Sequence, residues 1–77
     1  MNIRDIINVD ADILSGQPVF KGTRVPIKNL WDYLEGGETI EDFLKGFPSV
    51  TKEQVINVLE RAEKITTSEN YTYEDIT

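Results

Sequence analysis

The sequence predicts a mainly α domain carrying a small β-hairpin at its N-terminus, and three observations predict it. Three successive apolar stripes at helical spacing follow Pro26. Capping residues head the second and third of them. A β-prone stretch broken by glycines precedes Pro26. One domain is expected, because neither half of a 77-residue chain would bury a usable core. Its expected span is residues 1–65, with short strands and a hairpin in 1–26 and a three-helix unit in 27–65. Residues 66–77 are expected to form a flexible acidic tail.

The elements follow in order. Ile6-Ile7-Asn8-Val9 is a brief β-prone run that ends at the turn-forming Asp10-Ala11-Asp12. Ser15-Gly16-Gln17 breaks the chain again. Pro18-Val19-Phe20 and Thr23-Arg24-Val25 then read as two strands around Lys21-Gly22, where a glycine supplies the positive φ of a tight turn. Pro26 ends the second strand and suits the first turn of a helix. In that helix Ile27, Leu30, Trp31 and Leu34 form one stripe, and Gly36-Gly37 stops it. Thr39 caps the next, with Asp42 in place of the usual capping-box Glu or Gln, and Ile40, Phe43, Leu44 and Phe47 repeat the stripe. Gly46 and Pro48 end it. Thr51 and Gln54 make a capping box for the third helix, with Val50 and Val55 at the positions of a hydrophobic staple. Val55, Val58, Leu59, Ala62 and Ile65 are its expected buried stripe.

Composition narrows the chemistry. The chain has no cysteine and no histidine, so it forms no disulfide and offers no zinc-finger ligand set. The ordinary general base near neutral pH and the strongest side-chain nucleophile are both missing. No catalytic residue, cofactor or metal site is expected, and the chain is read as a binding protein and not an enzyme. So small a domain is marginal by itself, which makes association, as a dimer or with another protein, the expected source of added stability. No signal peptide, membrane span or lipidation motif is read from the sequence, so the cytoplasm is the expected location.

Two stretches are candidate sites. The second and third helices, joined by Phe47-Pro48-Ser49-Val50, are compatible with a helix-turn-helix. Gln54, Asn57, Arg61 and Lys64 line one flank of the third helix, with Lys52 at its start; Gln and Asn suit adenine edges, and Arg suits guanine. Glu53, Glu60 and Glu63 stand farther around, beside Ile56. The net charge of −6 repels nucleic acid, so an ordinary solvated helix competes with the DNA-reading one. The other candidate is the tail, where Tyr71, Tyr73, Glu74, Asp75 and Ile76 suit docking into a basic, partly apolar groove of a partner. A frayed terminus with no role is the alternative there.

The segment from Gly16 to Ile27 carries a resemblance. Gly16-x-Pro18-Val19-Phe20-x-Gly22-Thr23-Arg24-Val25-Pro26-Ile27, with Phe47-Pro48 and Thr51 farther on, resembles the domain of unknown function 433 family. These are small bacterial and archaeal proteins, many of them similar to antitoxins of type II toxin–antitoxin pairs. The similarity covers roughly residues 8–64. It implies a winged-helix-like or homeodomain-like tri-helical helix-turn-helix with an N-terminal hairpin. Gly16, Pro18, Gly22, Thr23, Arg24 and Pro26 are then a structural motif, although the role of Arg24 stays open between a core-edge ion pair and a partner contact. The resemblance also implies a partner, a PIN-type ribonuclease toxin encoded nearby, and autorepression on operator DNA. A stand-alone dimeric DNA-binding regulator is the other reading.

Overall fold

The computed structural model describes residues 3–68. After a 3-10 turn at Ile3–Asp5 come β1 (Ile7–Asn8), a second 3-10 turn at Leu14–Gly16, and β2 (Val19–Phe20). The helices α1 (Ile27–Glu35), α2 (Ile40–Gly46) and α3 (Lys52–Thr66) complete the order. The fold is mainly α with a small antiparallel two-stranded sheet, the class the sequence predicts.

The sheet pairs differently from the expected hairpin. β2 pairs with β1, in the register Ile7↔Phe20 and Asn8↔Val19, across the whole 9–18 connection. The predicted strand Thr23-Arg24-Val25 shrinks to a single bridge, Val19↔Pro26, held by Phe20 N–H on the Val25 carbonyl (3.0 Å) and Ile27 N–H on the Pro18 carbonyl (3.0 Å). Pro26 has no N–H to extend that ladder and instead opens α1 as its N-cap. β2 is therefore the central strip, and Val19 and Phe20 are both fully buried.

The caps hold as the spacing predicts. Thr39 and Asp42 form a reciprocal box at the head of α2, and Thr51 and Gln54 another at the head of α3. In the first, the Asp42 carboxylate accepts the Thr39 N–H at 3.0 Å. That backbone hydrogen bond, with the Thr39 hydroxyl after it, holds the Asp42 carboxyl below the usual carboxylate value.

The core lies where the three stripes meet β2. Phe20, Leu30, Phe43 and Val55 are fully buried, with Ile6, Ile27, Val50 and Val58 packed into the same cluster. Phe43 sits at the middle of the aromatic packing: its ring centroid is 5.8 Å from Phe20, 4.9 Å from Phe47 and 5.5 Å, edge-on, from Tyr33. Trp31, Leu34, Ile40, Leu44, Phe47 and Leu59 pack against the cluster only in part. Ile65 departs from its expected place. It is 54% exposed, because α3 has by then run past the far edge of the core. The tail reading at 66–77 falls almost wholly outside the described residues.

Candidate functional site

The Gly16–Pro26 segment separates into residues that build a turn and residues that present a surface. Gly22 takes φ +79°. Thr23 closes the turn twice over: its N–H and its hydroxyl both donate to the Phe20 carbonyl (3.0 and 2.8 Å), and its Oγ1 accepts the Val25 N–H at 3.0 Å. Pro18 and Pro26 hold the bridge just described. Five of the six motif residues, all but Arg24, are thus engaged in backbone geometry. Arg24 is exposed and has no hydrogen bond or ion pair among the described residues, so the core-edge pairing is not made there.

Gly16 ends a stranger element. Leu14 (φ +49°), Ser15 (φ +58°) and Gly16 (φ +85°) are three successive residues in the left-handed region. Only the last is a glycine. The turn is tied by Gly16 N–H to the Ile13 carbonyl (3.0 Å) and Gln17 N–H to the Leu14 carbonyl (3.2 Å). It leaves the Leu14 side chain 41% exposed.

The flank of α3 lies along the N-terminal segment. Gln54 uses both ends of its amide: Oε1 accepts the Thr51 N–H at 2.9 Å, and Nε2 donates to the Lys21 carbonyl at 2.9 Å. It therefore ties the head of α3 to the turn between β2 and α1. Asn57, Arg61 and Lys64 come together, lining one shallow hollow with Ile6 and Glu60. Asn57 and Arg61 are half-buried there and Lys64 is exposed. Lys52 lies on the opposite side of the helix and joins neither this hollow nor the one around Gln54. The exposed positions of the helix include Glu53, Glu60 and Glu63, with Ile56 among them at 40% exposure. Tyr71, Tyr73, Glu74, Asp75 and Ile76 lie outside the described residues.

Two surfaces appear that the sequence reading did not single out. An apolar groove of about 430 Å³ runs between Ile7, Pro18, Ile27 and Trp31, rimmed by Gln17 and Lys28. The Lys28 ammonium lies 2.9 Å from the Asp32 carboxylate, whose hydrogen bond and charge raise its pKa above the ordinary lysine value. Around the same Ile7, a hollow of about 470 Å³ is lined by Arg4, Asn8, Val9 and Lys21. The signal was the doublet Ile6-Ile7. Successive residues along extended backbone point to opposite sides, so two adjacent isoleucines are not both expected at the centre of the core. Ile6 is buried in the core, and Ile7 is half-buried at its edge, packed against the core cluster while lining both hollows.

Among the described residues no group of three or more potential ligands is placed to hold a metal ion, and no helix is long and apolar enough to cross a membrane. The model of the family described as Protein of unknown function (DUF433) matches residues 7–62, from β1 to the last turns of α3. The chain is also 36% identical over 52 residues to the Uncharacterized protein y4eO of Sinorhizobium fredii (strain NBRC 101917 / NGR234). That match covers 68% of this chain and 24% of the relative, so the chain spans about a quarter of that protein's length. No solved structure matches it.

Proposed function

Because this chain belongs to the DUF433 family, we propose that it is an antitoxin-like binding protein of the cytoplasm that neutralises a PIN-type ribonuclease encoded nearby. It carries no chemistry of its own in this reading. The observation that carries it is the apolar surface gathered around β1. Ile7 serves both the groove and the adjoining hollow, and Val9 is 62% exposed. Clustered apolar side chains with a cationic rim suit a protein partner better than a phosphate backbone. The acidic segment with Tyr71, Tyr73, Glu74, Asp75 and Ile76 adds a second contact, entering the basic RNA groove of the nuclease as a phosphate mimic.

Co-expression with the neighbouring nuclease tests this. The two proteins are expected to purify together, and the nuclease is expected to lose its toxicity. A chain that purifies alone and leaves toxicity untouched would sink the reading.

A second reading, a dimeric DNA-binding regulator or an antitoxin that represses its own operon, is favoured by the clustering of Asn57, Arg61 and Lys64 on one flank of α3. Gln54 weighs against it, since its amide is already committed at both ends. Asn57→Ala and Arg61→Ala are then expected to weaken promoter binding in a salt-dependent way while the fold stays intact. Promoter DNA that never shifts at any salt concentration removes this reading alone.

A further inference from the structure

We propose that the face of α1 beside Trp31 is a docking surface for a second copy of this chain, with the two α1 helices packed antiparallel about a two-fold axis. The inference concerns self-association and stands whether the further partner is a nuclease or DNA.

Charge is the first argument. Lys28 stands in the first turn of α1 and Glu35 is its last residue, while the helix has no acid in its first turn and no base in its last. That order runs against the helix dipole, which favours acids at the N-terminal end and bases at the C-terminal end. Lys28, Asp32 and Glu35 fall at i, i+4 and i+7 and share one exposed flank. A second α1 laid antiparallel on that flank sets Lys28 against Glu35 of the copy, twice over by symmetry, and opposes the two dipoles. Parallel packing would set Lys28 on Lys28 and Glu35 on Glu35. The same charges therefore select the antiparallel arrangement.

The charges are available for this. Glu35 makes no ion pair among the described residues. Lys28 holds Asp32 at 2.9 Å, but the two side chains are 72% and 52% exposed, so the pair is a weak surface one. An ammonium has three N–H donors, enough to serve Asp32 and a carboxylate of the copy together.

Apolar surface is the second argument. Trp31 is half-buried beside that flank and lines the groove of about 430 Å³ with Ile7, Pro18 and Ile27. Positions 28 and 35 lie equally far from the gap between Trp31 and Asp32. The pairing that matches the charges thus also brings the two Trp31 side chains together near the axis. A tryptophan at the centre with charged pairs at the rim is the anatomy of a protein interface. The copy takes the Trp31 side of Ile7 and leaves the hollow at Asn8 and Val9 to a further partner.

The full chain alone is the test, with no nuclease or DNA present, so its outcome is separate from theirs. Sedimentation equilibrium is expected to show a monomer–dimer equilibrium in the micromolar range. The emission of Trp31, the sole tryptophan, is expected to move to shorter wavelength over the same concentrations. Lys28→Glu and Glu35→Lys are each expected to raise the dissociation constant at least about tenfold, because each sets like charges together twice. Mixed in equal amounts, the two variants are expected to associate about as tightly as the wild type, since opposite charges then meet at both pairs. Circular dichroism is expected to show both folded, and Glu35→Lys suits the helix dipole better than the native residue, so its loss of dimer is not a loss of fold. A wild type that stays monomeric overturns the proposal. So does a dimer whose Trp31 emission does not move, a variant that associates as the wild type does, or a mixture that fails to re-associate.

Discussion

Leu14 occupies a backbone region that suits glycine or asparagine, at φ +49°, with Ser15 beside it at +58°. A branched aliphatic residue there costs on the order of 1–2 kcal/mol. Leu14→Asn is therefore expected to raise stability by about 1 kcal/mol in urea unfolding, and Leu14→Val to lower it, because Val tolerates positive φ still less. If the outward Leu14 serves a partner, the Asn variant gains stability and loses complex. Gln54 makes a second prediction at this scale. Gln54→Ala removes a cap acceptor and the hydrogen bond to the Lys21 carbonyl, at a cost of about 1–2 kcal/mol by urea unfolding. Gln54→Glu keeps the acceptor, loses the donor and is expected to fall between. The capping half of that role was legible in Thr51-x-x-Gln54. The other half joins residues 33 positions apart, and no local spacing encodes such a contact.

The helices were legible because each repeats a pattern that physics reads locally: a stripe with the period of the helix, and a cap whose partner lies three residues away. The sheet was not, because two-residue strands carry no period and their pairing is decided by what covers them. Val19-Phe20 chose Ile7-Asn8 over Thr23-Arg24-Val25, since Thr23 spends its hydroxyl on closing the turn and Pro26 lacks a donor. Ile65 fits its stripe by period, but a period gives direction and not depth. Ile65→Gln is accordingly expected to shift unfolding by less than about 0.5 kcal/mol, as exposed substitutions do. The α2 cap predicts a pH dependence. A carboxyl whose folded pKa lies below its unfolded value adds stability that is fully present above the unfolded value and lost as pH falls through the folded one. Asp42 is such a group, held low first by the Thr39 N–H. The stability gap between the wild type and Asp42→Ala is expected to be constant near neutrality and to close on acidification through the carboxylate range, in denaturant melts taken across pH.

At the scale of the whole molecule, nine buried apolar side chains among the described residues hold three helices and a sheet together. Phe43 touches three of the four aromatic contacts in that core. Phe43→Ala is expected to cost about 3–5 kcal/mol, comparable to the entire stability of a small domain, and to abolish a cooperative thermal transition by circular dichroism. A partner that binds only the folded chain adds stability by mass action, so the wild type is expected to melt higher in complex. The expectation of a binding role rests on charge and composition: acid in excess, no histidine, no cysteine. Where the cations gather was not legible. Arg4 and Lys21 are 17 positions apart in sequence and meet only because β1 lies against β2.

The turn at Lys21 has an evolutionary consequence. Gln54 grips that position by its main-chain carbonyl, an atom every amino acid supplies. The side chain at 21 can therefore be exchanged without loosening the joint between the turn and α3. A position whose backbone is bolted down and whose side chain is unconstrained is a dial: whatever docks beside β1 can be re-specified there by one codon, with the architecture left as it is.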